Sequence, residues 1–129
     1  MYLVDTSAWI AFFRNRAAAG LFKPEEIGIC LPIYQEVLQG IRHEADYRDI
    51  KGILDAAAFF DSPLPKERFE EAAHIFRSGR KMGKTIRSAT DCLIAAIAVK
   101  YDLIVLHEDR DFPLIGEFTD LRQRRVPEL

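Results

Sequence analysis

Apolar residues in this chain fall into two patterns: short unbroken runs bounded by turn-forming residues, and longer stretches recurring every three or four positions. The first kind reads as buried strand, the second as helix. Tyr2-Leu3-Val4 opens the chain as a short strand, and residues 27–31 (Ile-Gly-Ile-Cys-Leu) form a second. A third is expected near Ala58–Asp61, a fourth at residues 103–106, and a last, weak one near Thr119–Arg122.

Helices fill the intervals. Thr6 or Ser7 offers a hydroxyl to cap a helix running through Phe13, because the free N–H groups of a helix start need an acceptor. Pro32 suits the first turn of a helix reaching about Ile41, with Ile33, Val37, Leu38 and Ile41 along one face. Residues 44–57 form another helix. Beyond Pro63 and Pro65, the positions Phe69, Ala72, Ala73 and Phe76 have the spacing of an amphipathic helix, whose end Gly79 and Gly83 loosen. Residues 89–101 are apolar nearly all round after Asp91, the mark of a central, buried helix. This alternation predicts an α/β fold, three-layered α/β/α around a mostly parallel sheet. No repeat or linker divides the chain, so one domain over residues 1–129 is expected.

Composition narrows the class. Hydrophobic residues at 49% suffice for one core, and 29% charged residues fit a soluble chain. No apolar run approaches the ~20 residues of a membrane span. An acid at position 5 stands where a signal peptide has its basic lead-in, so cytoplasmic residence is the expectation. Cys30 and Cys92 sit among apolar residues without metal-ligand spacing and read as small buried side chains rather than a disulfide.

A net charge of −2 argues against nucleic-acid binding by bulk charge alone. The distribution says more. Between Arg77 and Thr90 the chain carries Arg77, Arg80, Lys81, Lys84 and Arg87 and no acid; Arg122, Arg124 and Arg125 form a second cluster. The first run is either a phosphate-holding patch or a solvated loop between helices.

Candidate chemistry lies in four acids: Asp5, Glu36, Asp91 and Asp109. Asp5 and Asp109 each follow a predicted strand, and in parallel α/β sheets ligands bind beyond the carboxyl ends of the strands. Acids gathered from distant parts of a chain repel one another unless a cation lies between them. Oxygen ligands of this kind suit Mg²⁺ or Mn²⁺. Two of the four also have ordinary explanations. Glu36 lies toward the polar side of its helix, and an acid at Asp91 favours a helix dipole. His107, between the last strong strand and Asp109, is placed either to donate to a carboxylate or phosphate or to serve structure alone.

The motifs Val4-Asp5-Thr6-Ser7-Ala8-Trp9, Glu36-Val37-Leu38-Gln39-Gly40, Asp91-Cys92-Leu93-Ile94-Ala95-Ala96-Ile97-Ala98 and Leu106-His107-Glu108-Asp109-Arg110-Asp111-Phe112 follow one another at family-like spacing. In their order the chain resembles PIN-domain proteins, and among them the VapC toxin ribonucleases of bacterial toxin–antitoxin pairs. The resemblance implies a Mg²⁺- or Mn²⁺-dependent endoribonuclease acting on structured RNA of the tRNA or rRNA class. Asp5, Glu36 and Asp91 match the family's three most regular acids and Asp109 its fourth. Among these catalytic candidates, Asp5, Asp91 and Asp109 are expected to hold the metal and Glu36 to complete its shell or orient a water. It also implies a cognate VapB-type antitoxin and a homodimer.

Ser7, Arg80, Lys84 and Arg87 are the candidates for substrate contact, and Thr6, His107 and Asp111 for accessory roles. Trp9, Phe12 and Phe13 are candidates for an antitoxin groove or dimer contact, or for core. Many relatives carry Thr or Ser in place of His107. Two rivals are weighed: a phosphotransfer protein, disfavoured because Asp5 lacks an adjacent or next-but-one acid, and a catalytically inert PIN-like module binding RNA or protein.

Overall fold

The computed structural model describes residues 1–127, so the last two positions of the expected domain lie outside the described residues. Five strands form one sheet in the order β3-β2-β1-β4-β5. They are β1 (Tyr2–Val4), β2 (Ile27–Ile29), β3 (Ala58–Phe59), β4 (Ile104–His107) and β5 (Arg122–Arg125). Neighbouring strands pair in parallel throughout, with Leu3 opposite both Gly28 and Val105, and Val105 opposite Gln123.

The helices are α1 (Thr6–Arg14), α2 (Arg16–Ala19), α3 (Leu31–Gln39), α4 (Glu44–Asp55), α5 (Lys66–Lys81), α6 (Ala89–Lys100) and α7 (Asp111–Gly116). With the strand order β3-β2-β1-β4-β5, the right-handed crossover rule assigns α1–α4 to one face of the sheet and α5–α7 to the other, the three layers expected. Helix α5 packs along α6, and α6 meets α7.

This strand order positions the site. The chain begins in the middle of the sheet, winds outward to β3, then returns to lay β4 on the other side of β1. Connections on either side of the β1–β4 pair run in opposite directions, so a crevice opens at the carboxyl ends of those two strands. The floor beneath it is apolar: Leu3, Val4, Ile29, Val105 and Leu106 are fully buried. Helix α6 buries Ile94, Ala95, Ala96, Ile97 and Ala98. Each isoleucine interred there contributes about 1.5–3 kcal/mol, and the alanines let neighbours approach closely.

Three expectations shift. The final strand lies at Arg122–Arg125, not 119–122. Thr119 ends helix α7 instead: its Oγ1 donates to the Ile115 carbonyl at 2.8 Å and accepts the Leu121 N–H at 3.2 Å. Helix α5 buries Arg68, Ala72, Ile75 and Gly79, while Phe69 stays 51% exposed. The face is rotated from the expected one because Arg68, ion-paired to Asp61 and Glu71, is drawn inward. Helix α3 ends at Gln39, which leaves Ile41 outside it. The expected loosening of α5 does occur at Gly83, whose φ of +73° is a left-handed conformation natural to glycine. Among the described residues no helix is long and apolar enough to cross a membrane.

Candidate active site

Asp5 stands at the end of β1, its N–H donating to the Leu106 carbonyl at 2.9 Å, so the β1–β4 ladder fixes its backbone. Asp5 itself caps α1: its Oδ2 accepts the Ser7 N–H at 3.1 Å. The cap expected of Thr6 or Ser7 thus falls one residue earlier, where the chain is still extended and the carboxylate can fold over the first turn. Ser7 takes another part. Its hydroxyl donates to Asp5 Oδ2 at 2.6 Å and accepts the Glu108 N–H at 2.9 Å, tying together the ends of β1 and β4. The Thr6 hydroxyl is buried without a partner.

Asp91 comes from the first turn of α6, which Ser88 caps through Oγ accepting the Asp91 N–H at 3.3 Å. It is only 6% exposed, and its Oδ2 is buried without a hydrogen-bond partner. Asp109 lies just past β4, and its Oδ1 accepts the Asp111 N–H at 3.0 Å. That turn folds Asp111 back into the crevice, where Oδ2 accepts the Arg87 and Ser88 N–H groups at 3.0 and 3.3 Å. One carboxylate oxygen from each of Asp91, Asp109 and Asp111 falls within 4.8 Å of the others. Asp111, expected only as an accessory, therefore belongs to the closest grouping of acids. The charge of Asp5 reaches Asp91, and Glu36 in turn lies within the field of Asp5.

Electrostatics ties the five together. Burial, then the charges of Asp5, Asp109 and Asp111, pushes Asp91 up to about 8. Burial also raises Asp5, against the hydrogen bonds of Ser7, and the charge of Asp109 adds to it. Glu36, half-buried on α3, is raised by burial and by the charge of Asp5. The sequence put Glu36 toward solvent; the structure puts it within the field of Asp5. Among the described residues none of these five acids joins an ion pair with a lysine or arginine. An unpartnered, buried carboxylate oxygen among other acids can be satisfied by a proton or by a cation. The hard-oxygen donor set fits Mg²⁺ or Mn²⁺.

His107 is fully buried between Gln123 and the Phe112 ring, with Nδ1 accepting the Asp109 N–H at 3.1 Å. Burial holds its pKa below the ordinary value, so it stays neutral at neutral pH. It touches the site through the backbone. Its partner Gln123 escaped sequence reading, because only the β4–β5 register puts that residue on the His107 face.

The basic candidates divide. Lys84 Nζ pairs with Glu117 at 2.5 Å, and the Arg80 guanidinium lies 5.9 Å over the Phe76 ring. Arg87 is exposed, its guanidinium has no partner among the described residues, and its own N–H binds Asp111 beside the acids. In the second cluster Arg122 is held by Asp102, Arg124 by the Tyr2 hydroxyl and Arg125 by Glu108. Trp9 and Phe12 are mostly core, at 5% and 3% exposure. With Phe13, Phe22 and Ile53 they also line an apolar groove of about 410 Å³ beside α1 and α4, away from the acids.

A parallel sheet with acids gathered at its switch point is an α/β frame of a known kind: residues 2–117 match the PIN domain, and the chain belongs to that family. Its relatives there are VapC ribonucleases. It is 32% identical over 130 residues to VapC ribonuclease Mb1587 of Mycobacterium bovis, covering 95% of this chain and 96% of that one. It is 30% identical over 125 residues to ribonuclease VapC18 of Mycobacterium tuberculosis, covering 92% and 90%. The fold is shared with VapBC-1 from nontypeable Haemophilus influenzae, at a TM-score of 0.72 and 18% identity over 96% of each chain. It is shared too with FitAcB from Neisseria gonorrhoeae, at 0.72 and 19% over 95% and 96%.

Proposed function

We propose that this chain is the toxin of a type II toxin–antitoxin pair, a Mg²⁺- or Mn²⁺-dependent endoribonuclease that cuts structured RNA of the tRNA or rRNA class in the cytoplasm. The observation that carries the reading is the buried, unpartnered Oδ2 of Asp91 among acids that lack a counter-charge. Asp5, Asp91 and Asp109 would hold the metal, joined by Asp111, whose carboxylate oxygen falls within 4.8 Å of those of Asp91 and Asp109. A bound divalent ion supplies charge stabilisation for the phosphate and lowers the pKa of the attacking water.

The chain's own residues do the rest. Glu36 orients that water and accepts its proton, a role suited to a carboxylate held above its ordinary pKa. The water oxygen bonds to phosphorus as the O3′–P bond breaks, and O3′ takes a proton from solvent. The products are a 5′-phosphate and a 3′-hydroxyl. Arg87 meets the RNA backbone next to the pocket, with Arg80 and Lys84 further along the same path. The Lys84–Glu117 pair is exposed enough, at a worth of about 0–1 kcal/mol, for a phosphate to displace the carboxylate. Ser7 holds Asp5 in register.

The apolar groove of Trp9, Phe12 and Phe13 receives a segment of a cognate VapB-type antitoxin, and the chain works as a homodimer. The complexes formed by proteins of the same fold, VapBC-1 and FitAcB, support an antitoxin partner.

The test is cleavage of total bacterial RNA by antitoxin-free protein with Mg²⁺ or Mn²⁺, with EDTA, and beside Asp91→Asn. Discrete fragments requiring both metal and Asp91, with 5′-phosphate ends, are expected. A 2′,3′-cyclic phosphate would overturn the mechanism. No cleavage by folded, Mn²⁺-loaded protein would leave an inert RNA- or protein-binding PIN module.

A further inference from the structure

The edge strand β5 makes one contact into the interior that the reaction above does not use. Gln123 Oε1 lies 2.6 Å from His107 Nε2. The opposite ring nitrogen, Nδ1, accepts the Asp109 N–H at 3.1 Å. A neutral imidazole whose Nδ1 accepts carries its proton on Nε2. Nε2–H therefore donates to the Gln123 carbonyl oxygen; the reversed amide would set two donors face to face. Gln123 thus fixes the tautomer and, with Phe112 against the ring, its plane.

From His107 the bonds run on to the carboxylates. The ring aims the Asp109 N–H, and Asp109 Oδ1 accepts from Asp111 at 3.0 Å. Asp111 Oδ2 receives the Arg87 and Ser88 amides, and Ser88 Oγ receives the Asp91 N–H. One path of hydrogen bonds therefore joins an uncharged residue on the sheet's last strand to both Asp109 and Asp91. Removing its first member leaves Nε2–H without an acceptor in a fully buried ring, and the ring must turn to find one.

We propose that Gln123 is a positioning residue for the metal site: through His107 it sets where Asp109, and behind it Asp91, present their oxygens. The inference rests on the metal-dependent reading of the pocket.

Its test is Mn²⁺ binding by the full chain, followed through the electron-paramagnetic signal of free Mn²⁺, alongside the Mn²⁺ concentration giving half-maximal RNA cleavage. Gln123→Leu removes the acceptor at similar size, and Gln123→Glu keeps an oxygen there. Gln123→Leu should weaken Mn²⁺ binding and raise the half-maximal concentration about tenfold, with Gln123→Glu within about twofold of the natural protein, the low end of what partners of metal ligands contribute. Nitrogen-15 spectra of the natural protein should show His107 protonated on Nε2.

Three results overturn the proposal. One is unchanged Mn²⁺ affinity in a folded Gln123→Leu protein, even where its melting temperature falls. Another is equal loss of affinity in both variants. The third is a His107 protonated on Nδ1. A natural protein that binds no Mn²⁺ at all sinks the reading of the pocket itself and this inference with it.

Discussion

The molecule shields carboxylates in two places and treats them oppositely. Near the start of α5, Arg68 is 2% exposed, with Nε 2.6 Å from Asp61 Oδ2 and Nη1 2.9 Å from both oxygens of Glu71. The Tyr101 hydroxyl donates to the other oxygen of Asp61 at 2.7 Å. There a guanidinium pairs with the shielded carboxylate, Asp61, and both oxygens of that carboxylate are used. At the switch point, Asp5, Asp91, Asp109 and Asp111 converge with no lysine or arginine side chain paired to them among the described residues, and Asp91 Oδ2 has nothing. The same chain can compensate buried acids, so the imbalance in the crevice is local. Folding alone does not require it, and it raises the cost of the fold until a proton or a cation arrives.

Breaking the compensated cluster should have the largest effect on stability. Arg68→Met strands Asp61 without its partner and should cost about 2–3 kcal/mol in urea unfolding, below the ~3–5 of a deep pair because Glu67 and Glu71 keep contact with water. Metal-dependent cleavage per folded molecule should hold. A variant as stable as the natural protein would show that the cluster is incidental.

Asp91→Asn should act the other way round. Cleavage should fall at least ~100-fold, beyond what partners of metal ligands contribute. The metal-free protein should melt higher, because a neutral amide replaces a carboxyl whose ionisation the fold opposes. Loss of both cleavage and stability would mean that the Asp91 carboxylate is structural.

The pH profile sharpens the contrast. Asp91 titrates near 8 in the fold against an ordinary 3.8. Between those values the folded chain binds more protons than the unfolded one, so this contribution to stability is greatest below the ordinary pKa and is lost as pH rises through 8. Asp5 and Glu36, also raised, add the same sign. Metal-free protein scanned from pH 5 to 8 should show a falling melting temperature, restored by Mn²⁺ and flattened in Asp91→Asn. Binding of Mn²⁺ should release protons, measurable in buffers of different ionisation enthalpy.

The smallest effect concerns RNA. Arg87→Ala should weaken RNA binding several-fold and reduce its salt dependence by about one ion, leaving Mn²⁺ affinity alone. An unchanged salt slope would remove Arg87 from the RNA path.

The sheet and the acids were legible to different depths. Strands β1 and β4 are unbroken apolar runs ending in Asp5 and in His107-Glu108-Asp109, so strand-end logic found the crevice. Strand β5 is Arg-Gln-Arg-Arg, held by its backbone ladder to β4; a weak strand is legible near it, but no pattern of side chains fixes its bounds. Periodicity sets the face of α5 about one residue off, because it counts arginine as solvent-facing, whereas an arginine with fixed acid partners is turned inward. Asp111 gave no signal of its capture by two backbone amides, since the hydrogen bonds span 24 and 23 positions.

Strand β5 has one more consequence. An open sheet ends in bare backbone, and bare backbone invites another strand to add itself. One end of this sheet is β3, two residues long; the other carries three arginines in four positions. A second copy laid along β5 would bring like charges together along its length, and one laid along β3 would find little ladder to grip. Short length at one margin and clustered positive charge at the other oppose end-on growth into fibres.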